Sequence, residues 1–246
     1  LTGKSATMRH LAILTLLPVS LALAGCGEGR APSEQLRDAT EKLVEEAAGQ
    51  PAPSLASGPY APRDECADLP GAADFRRDLA AAIAARDVDA MLALAAPDVK
   101  LDFGGGAGRA QLRRELEAPG GALWAELETL LSLGCAAEGQ ASMTMPWYFA
   151  QPIDGVDPMM GMIVTGEDVP LRMAAQERAE RLCALSWEAV EVVESYVPEA
   201  PFQHVETADG VRGYIASERL RSLIDYRLIA SSRDGTWSIT SLVAGD

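Results

Sequence analysis

Phe202-Gln203-His204-Val205-Glu206, Asp209-Gly210 and Val211-Arg212-Gly213-Tyr214-Ile215 are the stretch on which the reading of this 246-residue chain turns. Its two flanks carry the β-branched and aromatic residues that suit a pleated surface, and Asp-Gly between them is strong hairpin-turn chemistry. Working upstream, Met162-Ile163-Val164-Thr165, Leu182-Cys183-Ala184-Leu185-Ser186-Trp187 and Ala189-Val190-Glu191-Val192-Val193 are further short strands divided by turn signals. Downstream, Tyr226, Leu228 and Ala230 alternate, Arg233-Asp234-Gly235 turns, and Trp237, Ile239 and Val243 alternate again. That tail predicts a second hairpin, left over once the first set of strands is complete.

Before about residue 160 the chain is written with a helical period instead. Phe75, Leu79, Ala82 and Ile83 recur on one face from Ala72 onward, while Arg76, Arg77, Asp78 and Arg86 fall elsewhere. Asp87 has the chemistry of an N-cap for a short helix bearing Met91, Leu92 and Ala95, with Pro97 as its stop. Asp98 to Phe103 alternates strictly, which predicts a half-buried strand with Val99, Leu101 and Phe103 inward, ended by Gly104-Gly105-Gly106. A third helix carries Leu112 and Leu116. After Pro119-Gly120-Gly121 a fourth carries Leu123, Trp124, Leu127, Leu130 and Leu131, with Gly134 as its cap. The fold class is therefore α+β.

The N-terminus has a different character. Met8-Arg9-His10 gives a short basic start, Leu11 to Gly25 an apolar run too short to span a bilayer comfortably, and Leu23-Ala24-Gly25-Cys26 places a cysteine after two small residues. The last four residues resemble the lipobox of bacterial lipoproteins. The resemblance implies a signal peptide over residues 1–25 and a mature N-terminus at Cys26 carrying a diacylglyceryl thioether and an amide-linked acyl group such as palmitate. Two or more chains suffice for stable membrane anchoring, at about 0.8 kcal/mol per buried methylene. Met8 is the expected initiator, so Leu1 to Thr7 receive no structural role. Gly27 stands where the family places an aspartate as an inner-membrane retention signal, so the resemblance favours the periplasmic face of the outer membrane. Residues 26–64, rich in Ala, Pro, Glu, Ser and Gly, are expected to be a flexible tether. Loss of Lys4 and Arg9 with the signal would take the net charge from −15 to −17, which excludes nucleic acid as a natural partner.

The strand series resembles a bacterial SH3-like domain in Val164-Thr165-Gly166 with Val169, Leu171 and Arg172, in Leu185-Ser186-Trp187, and above all in Asp209-Gly210-Val211-Arg212-Gly213-Tyr214-Ile215. The resemblance covers about Gly161 to Arg221 and implies a small β-barrel over 160–221 with a groove for cell-wall peptide or a partner segment. Phe202 stands where that family commonly has tryptophan, and Met173-Ala174-Ala175 replaces its usual Ser/Gly-Pro loop. The opening helices, the strand at 98–103 and the closing hairpin resemble an NTF2-like α+β domain. On that reading residues 65–159 form its first part and 222–246 the hairpin that completes it, around an inserted barrel. Two sequential domains, the second with a decorated tail, are the alternative.

Chemistry-bearing residues are sparse. The mature chain holds one histidine, His204, so neither a catalytic triad nor a His-rich metal site is expected, and no cofactor is called for. The glycines at 104–106 lack the lysine of a P-loop, and Asp98 and Asp102 are read as a solvated face. Cys66 and Cys135 are the better-placed disulfide pair, worth roughly 4 kcal/mol in the loop-entropy model, with free thiols as the alternative; Cys183 reads as a small core residue. Trp147 and Tyr148, beside Phe149, either pack two modules together or line a pocket, and Trp187 and Tyr214 carry the same two readings. These observations predict a non-enzymatic envelope lipoprotein binding peptidoglycan peptide or a periplasmic protein. An NTF2-like small-molecule sensor or enzyme of unknown reaction is the alternative.

Overall fold

A computed structural model describes residues 56–245. The signal segment, Cys26 and most of the expected tether lie outside the described residues. Helix α1 spans Ala72–Ala85 and buries Phe75, Leu79, Ala82 and Ile83. Helix α2 spans Val88–Leu94, and the Asp87 side chain accepts a hydrogen bond from the Ala90 amide at 3.0 Å, as its N-cap chemistry requires. Helices α3 (Arg109–Leu116) and α4 (Ala122–Ser132) follow, and the Trp124 indole joins them by donating to the Leu116 carbonyl at 2.9 Å. None of the described helices is long and apolar enough to cross a membrane.

Five strands make the first sheet: β1 (Ala95–Lys100), β2 (Ala136–Ala137), β3 (Ser142–Met145), β11 (Arg227–Arg233) and β12 (Thr236–Val243), in the order β1-β12-β11-β3-β2. Strand β1 runs parallel to β12, and the other neighbours are antiparallel. At the β11–β12 turn both Asp234 and Gly235 have positive φ, the conformation a two-residue hairpin loop needs. Met143, Met145, Leu228, Ala230, Trp237, Ile239 and Leu242 from this sheet share one core with Leu79, Ile83, Leu112 and Leu127 of the helices. Trp237 is pinned there by its indole, which donates to the Pro70 carbonyl at 2.8 Å.

The 98–103 segment departs from its alternation. Strand β1 starts earlier, immediately after α2, and has Pro97 inside it, so α2 ends at Leu94 without help from the proline. Proline is tolerated there because β1 is an edge strand. Val99 and Leu101 are buried, but Phe103 is 47% exposed. It lies past the strand end in the glycine turn, where it stacks under the Lys100 ammonium, 4.1 Å from the ring centroid.

Seven strands make the second sheet: β4 (Gly161–Val164), β5 (Val169–Arg172), β6 (Arg181–Leu185), β7 (Ala189–Val192), β8 (Phe202–Thr207), β9 (Arg212–Ala216) and β10 (Leu220–Ser222). Their order is β10-β4-β7-β8-β9-β5-β6, and among the described residues no ladder joins β6 to β10. The closed barrel expected for 160–221 is thus replaced by an open sheet. The strands are short, β5 meets β9 at the single pair Arg172 and Tyr214, and Arg181 on the free β6 edge donates its guanidinium to the Cys183 carbonyl at 3.2 Å. Val164, Leu171, Val190, Val205 and Ile215 form this sheet's core.

Between the two cores lies a third, smaller cluster. Leu133, Ala136, Trp147, Tyr148 and Ile163 are buried in it, with Tyr60, Ile153 and Trp187 packed against them. Close beside it, Cys66 and Cys135 are joined by a disulfide, with Cα atoms 5.8 Å apart.

Candidate functional site

The β8–β9 hairpin builds the most promising surface. Val205 and Ile215 are fully buried, so strand alternation sends His204, Glu206, Arg212 and Tyr214 to the other face. In register, His204 lies opposite Tyr214 and Glu206 opposite Arg212. The His204 and Tyr214 rings stack with centroids 4.8 Å apart and planes 18° apart. Glu206 and Arg212 form an ion pair at 2.7 Å. Gly213 lets β5 approach, since a Cβ there would lie 2.7 Å from the Arg172 carbonyl oxygen, and the approach sets Arg172 opposite Tyr214. A guanidinium, a stacked aromatic pair and a carboxylate–guanidinium pair therefore follow one another along one face.

Gln203 supplies what the sequence did not disclose. Its alternation puts it on the buried face, where it is 2% exposed. Its amide accepts from the Val197 amide at 3.1 Å and donates to the Val197 carbonyl at 2.7 Å and the Ser217 hydroxyl at 2.9 Å. This pairing pins the loop between β7 and β8, in which Tyr196 and Val197 are exposed, to the hairpin. A glutamine in a strand carries no sequence signal of such a role, which depends on where the loop returns. Next to the Glu206–Arg212 end lies a cleft of about 500 Å³ lined by Glu191, Glu194, Glu206, Arg212, Val156 and Met160.

The four aromatic candidates separate. Tyr214 lies on the open sheet face with His204. Trp147, Tyr148 and Trp187 gather in the junction cluster, with Trp147 and Tyr148 buried. The Trp147 indole donates to a Glu65 carboxylate oxygen at 2.8 Å, and the Arg63 guanidinium sits 4.6 Å from its ring centroid. Burial pushes the Tyr148 phenol up to about 12, against the opposing pull of Arg221. Phe149 is exposed and sits under the Arg227 guanidinium at 4.5 Å.

At the glycine turn, the Gly106 amide donates to the Asp102 carboxylate, and a Cβ at Gly106 would overlap that same carboxylate. The amide that an incoming phosphate would need is already taken by an anion of the chain itself. Among the described residues no group of three or more His, Cys, Asp or Glu side chains is arranged to hold a metal ion. Cys183 is a free thiol, partly buried against the second core.

No family model and no curated protein matches the chain. Among solved structures, a five-substitution variant titled Rd1NTF2_05 aligns with 71% of this chain and 96% of its own at 10% identity, with a TM-score of 0.27.

Proposed function

We propose that the chain is a non-enzymatic lipoprotein of the bacterial envelope, anchored through lipid on Cys26 at the periplasmic side, outer membrane favoured. Its second sheet, read as an SH3-like module without closure, binds cell-wall peptide or a periplasmic protein. The first sheet and its helices act as an NTF2-like scaffold around that module, a reading supported by the pairing of β11 and β12 with β3 and β1 across the whole intervening sheet.

The observation that carries the binding proposal is the half-buried His204–Tyr214 stack set between Arg172 and the Glu206–Arg212 pair. Stem peptides of the cell wall bear both carboxylates and amines. A face that offers a cation, two aromatic surfaces and a carboxylate in sequence matches such a ligand without needing a net charge of either sign, and stacking dominates the expected contact. The test is co-sedimentation of the mature protein with purified peptidoglycan. Binding should change little with moderate salt, and Tyr214→Ala should weaken it while leaving the melting temperature within a few degrees. Absence of sedimentation by the wild type at low and moderate ionic strength overturns the cell-wall reading.

A further inference from the structure

Residues 56–66 run as a strap over both sheets, and their sequence favours that conformation. Pro59 and Pro62 remove amide donors and push Gly58 and Ala61 away from the helical region. At its start the Ser57 amide donates to Glu167 at 2.6 Å and the Ser57 hydroxyl to the same oxygen at 3.3 Å. The Tyr60 amide then donates to the Trp187 carbonyl at 2.9 Å, and the Tyr60 ring packs against the junction cluster with Trp187. Gly58 has φ of 133°, and a Cβ there would overlap the Ser186 carbonyl oxygen. Trp187 itself has φ of 50°, a conformation unfavourable for a bulky residue, and that twist points its carbonyl at the strap.

The far end of the strap is held differently. Cys135 donates its amide to the Arg63 carbonyl at 2.8 Å and accepts from the Glu65 amide at 2.9 Å, and the Cys66–Cys135 disulfide closes the segment. The first half is thus fastened by hydrogen bonds to the β4–β5 loop and the β6–β7 turn and by the packing of Tyr60 and the buried Ala61, and the second half is fastened covalently.

We propose that the corner formed by Glu167, Ser186 and Trp187 is a binding site for a peptide that turns at a glycine-proline pair, as Gly58 to Ala61 do with the Ala61 amide donating to the Gly58 carbonyl at 3.4 Å, and that residues 57–60 occupy it in cis. The glycine is selected by its close approach to the Ser186 backbone, the amide two residues beyond it by the Trp187 carbonyl, and a small residue with free N–H just before it by Glu167. The disulfide lets this half detach while the rest of the fold is retained. The site does not depend on binding at the His204–Tyr214 face.

Gly58→Ala tests it in the full mature chain, because the added methyl group cannot share the space of the Ser186 carbonyl. Hydrogen exchange should show the Tyr60 amide losing its protection while the Glu65 and Cys135 amides keep theirs. A synthetic peptide of residues 56–62 should then bind the variant roughly tenfold or more tightly than it binds wild type, where the attached strap competes at high effective concentration. The same peptide with alanine in place of its glycine should not bind. Unchanged Tyr60 protection in the variant overturns the proposal, as does a released strap with no peptide binding. Should Gly58→Ala fail to fold, Ser57→Pro removes the strap's amide donor to Glu167 while leaving the corner itself unaltered, and the same two readouts decide. None of these measurements uses cell-wall material, so a failure of peptidoglycan binding and a failure of this site are told apart.

Discussion

Arg221 of β10, in the second sheet, places its guanidinium 3.1 Å from the Glu126 carboxylate of helix α4, which packs on the first sheet. Asp225 adds a second carboxylate at 3.2 Å and the Tyr226 carbonyl a further acceptor at 3.3 Å, around a guanidinium whose side chain is only 8% exposed. A cation removed from water this far depends on its partners, and here they come from both sides of the junction.

Removing the two carboxylates should therefore be worse than the sum of removing each. Glu126→Ala or Asp225→Ala alone leaves Arg221 one anionic partner, whereas the double variant leaves it none. The double variant is expected to lose about 3 to 5 kcal/mol in urea unfolding. Adding Arg221→Met to it should recover a large share of the loss. Strictly additive single losses, or no recovery, would show that the network does not act as a unit.

Tyr148 lies in the same place and makes an alkaline prediction. Its folded pKa, raised to about 12 from 10.0, means that the native state holds the phenolic proton more tightly than the unfolded chain does. The resulting stability is fully present below pH 10 and is lost as pH rises from 10 through 12, a loss of about 2 to 3 kcal/mol at 1.36 kcal/mol per unit. Tyr148→Phe should flatten that part of the profile relative to wild type. Parallel profiles for the two proteins between pH 10 and 12 would remove Tyr148 from the account.

For the Cys66–Cys135 disulfide, a sequence separation of 69 residues makes the crosslink effective against the unfolded chain. Replacing both cysteines with serine should cost about 4 kcal/mol. Alkylation of the unreduced, denatured protein should label Cys183 and neither Cys66 nor Cys135. Labelling at Cys66 without reductant would contradict the bond.

Cys26→Ser addresses the anchor. The substitution removes the thiol expected to carry lipid and leaves the sequence of residues 56–245 unchanged. The variant should lose detergent-phase partitioning and accumulate either as precursor or as a soluble exported form. Unchanged partitioning would sink the lipoprotein reading.

Local signals in the sequence agree with the structure where neighbours a few residues apart control the outcome. Asp87 caps its helix, Asp234-Gly235 closes a tight hairpin, and Val205 and Ile215 alternate inward around Asp209-Gly210. Phe103 departs from the alternation because the strand ends at Lys100 and the chain enters a glycine turn whose course is set by Asp102 accepting from Gly106. Of the four aromatic ligand-binding candidates, only Tyr214 lies outside the junction cluster. Composition could not separate it from Trp147 and Tyr148, since the three differ in what covers them and not in kind.

What the sequence determined by itself was the α+β class, the helix faces, the two hairpins and the cysteines best placed to pair, all of which follow from periodicity, turn chemistry and position along the chain. The tertiary structure alone decided that β12 pairs in parallel with β1, that the seven middle strands leave both edges open, that Gln203 ties down a loop, and that Gly58 passes against Ser186. Each of those depends on which distant segments meet. Strand partners are chosen by burial of facing side chains and satisfaction of main-chain donors across the whole fold, and neither quantity is written in the residues on one side of the contact.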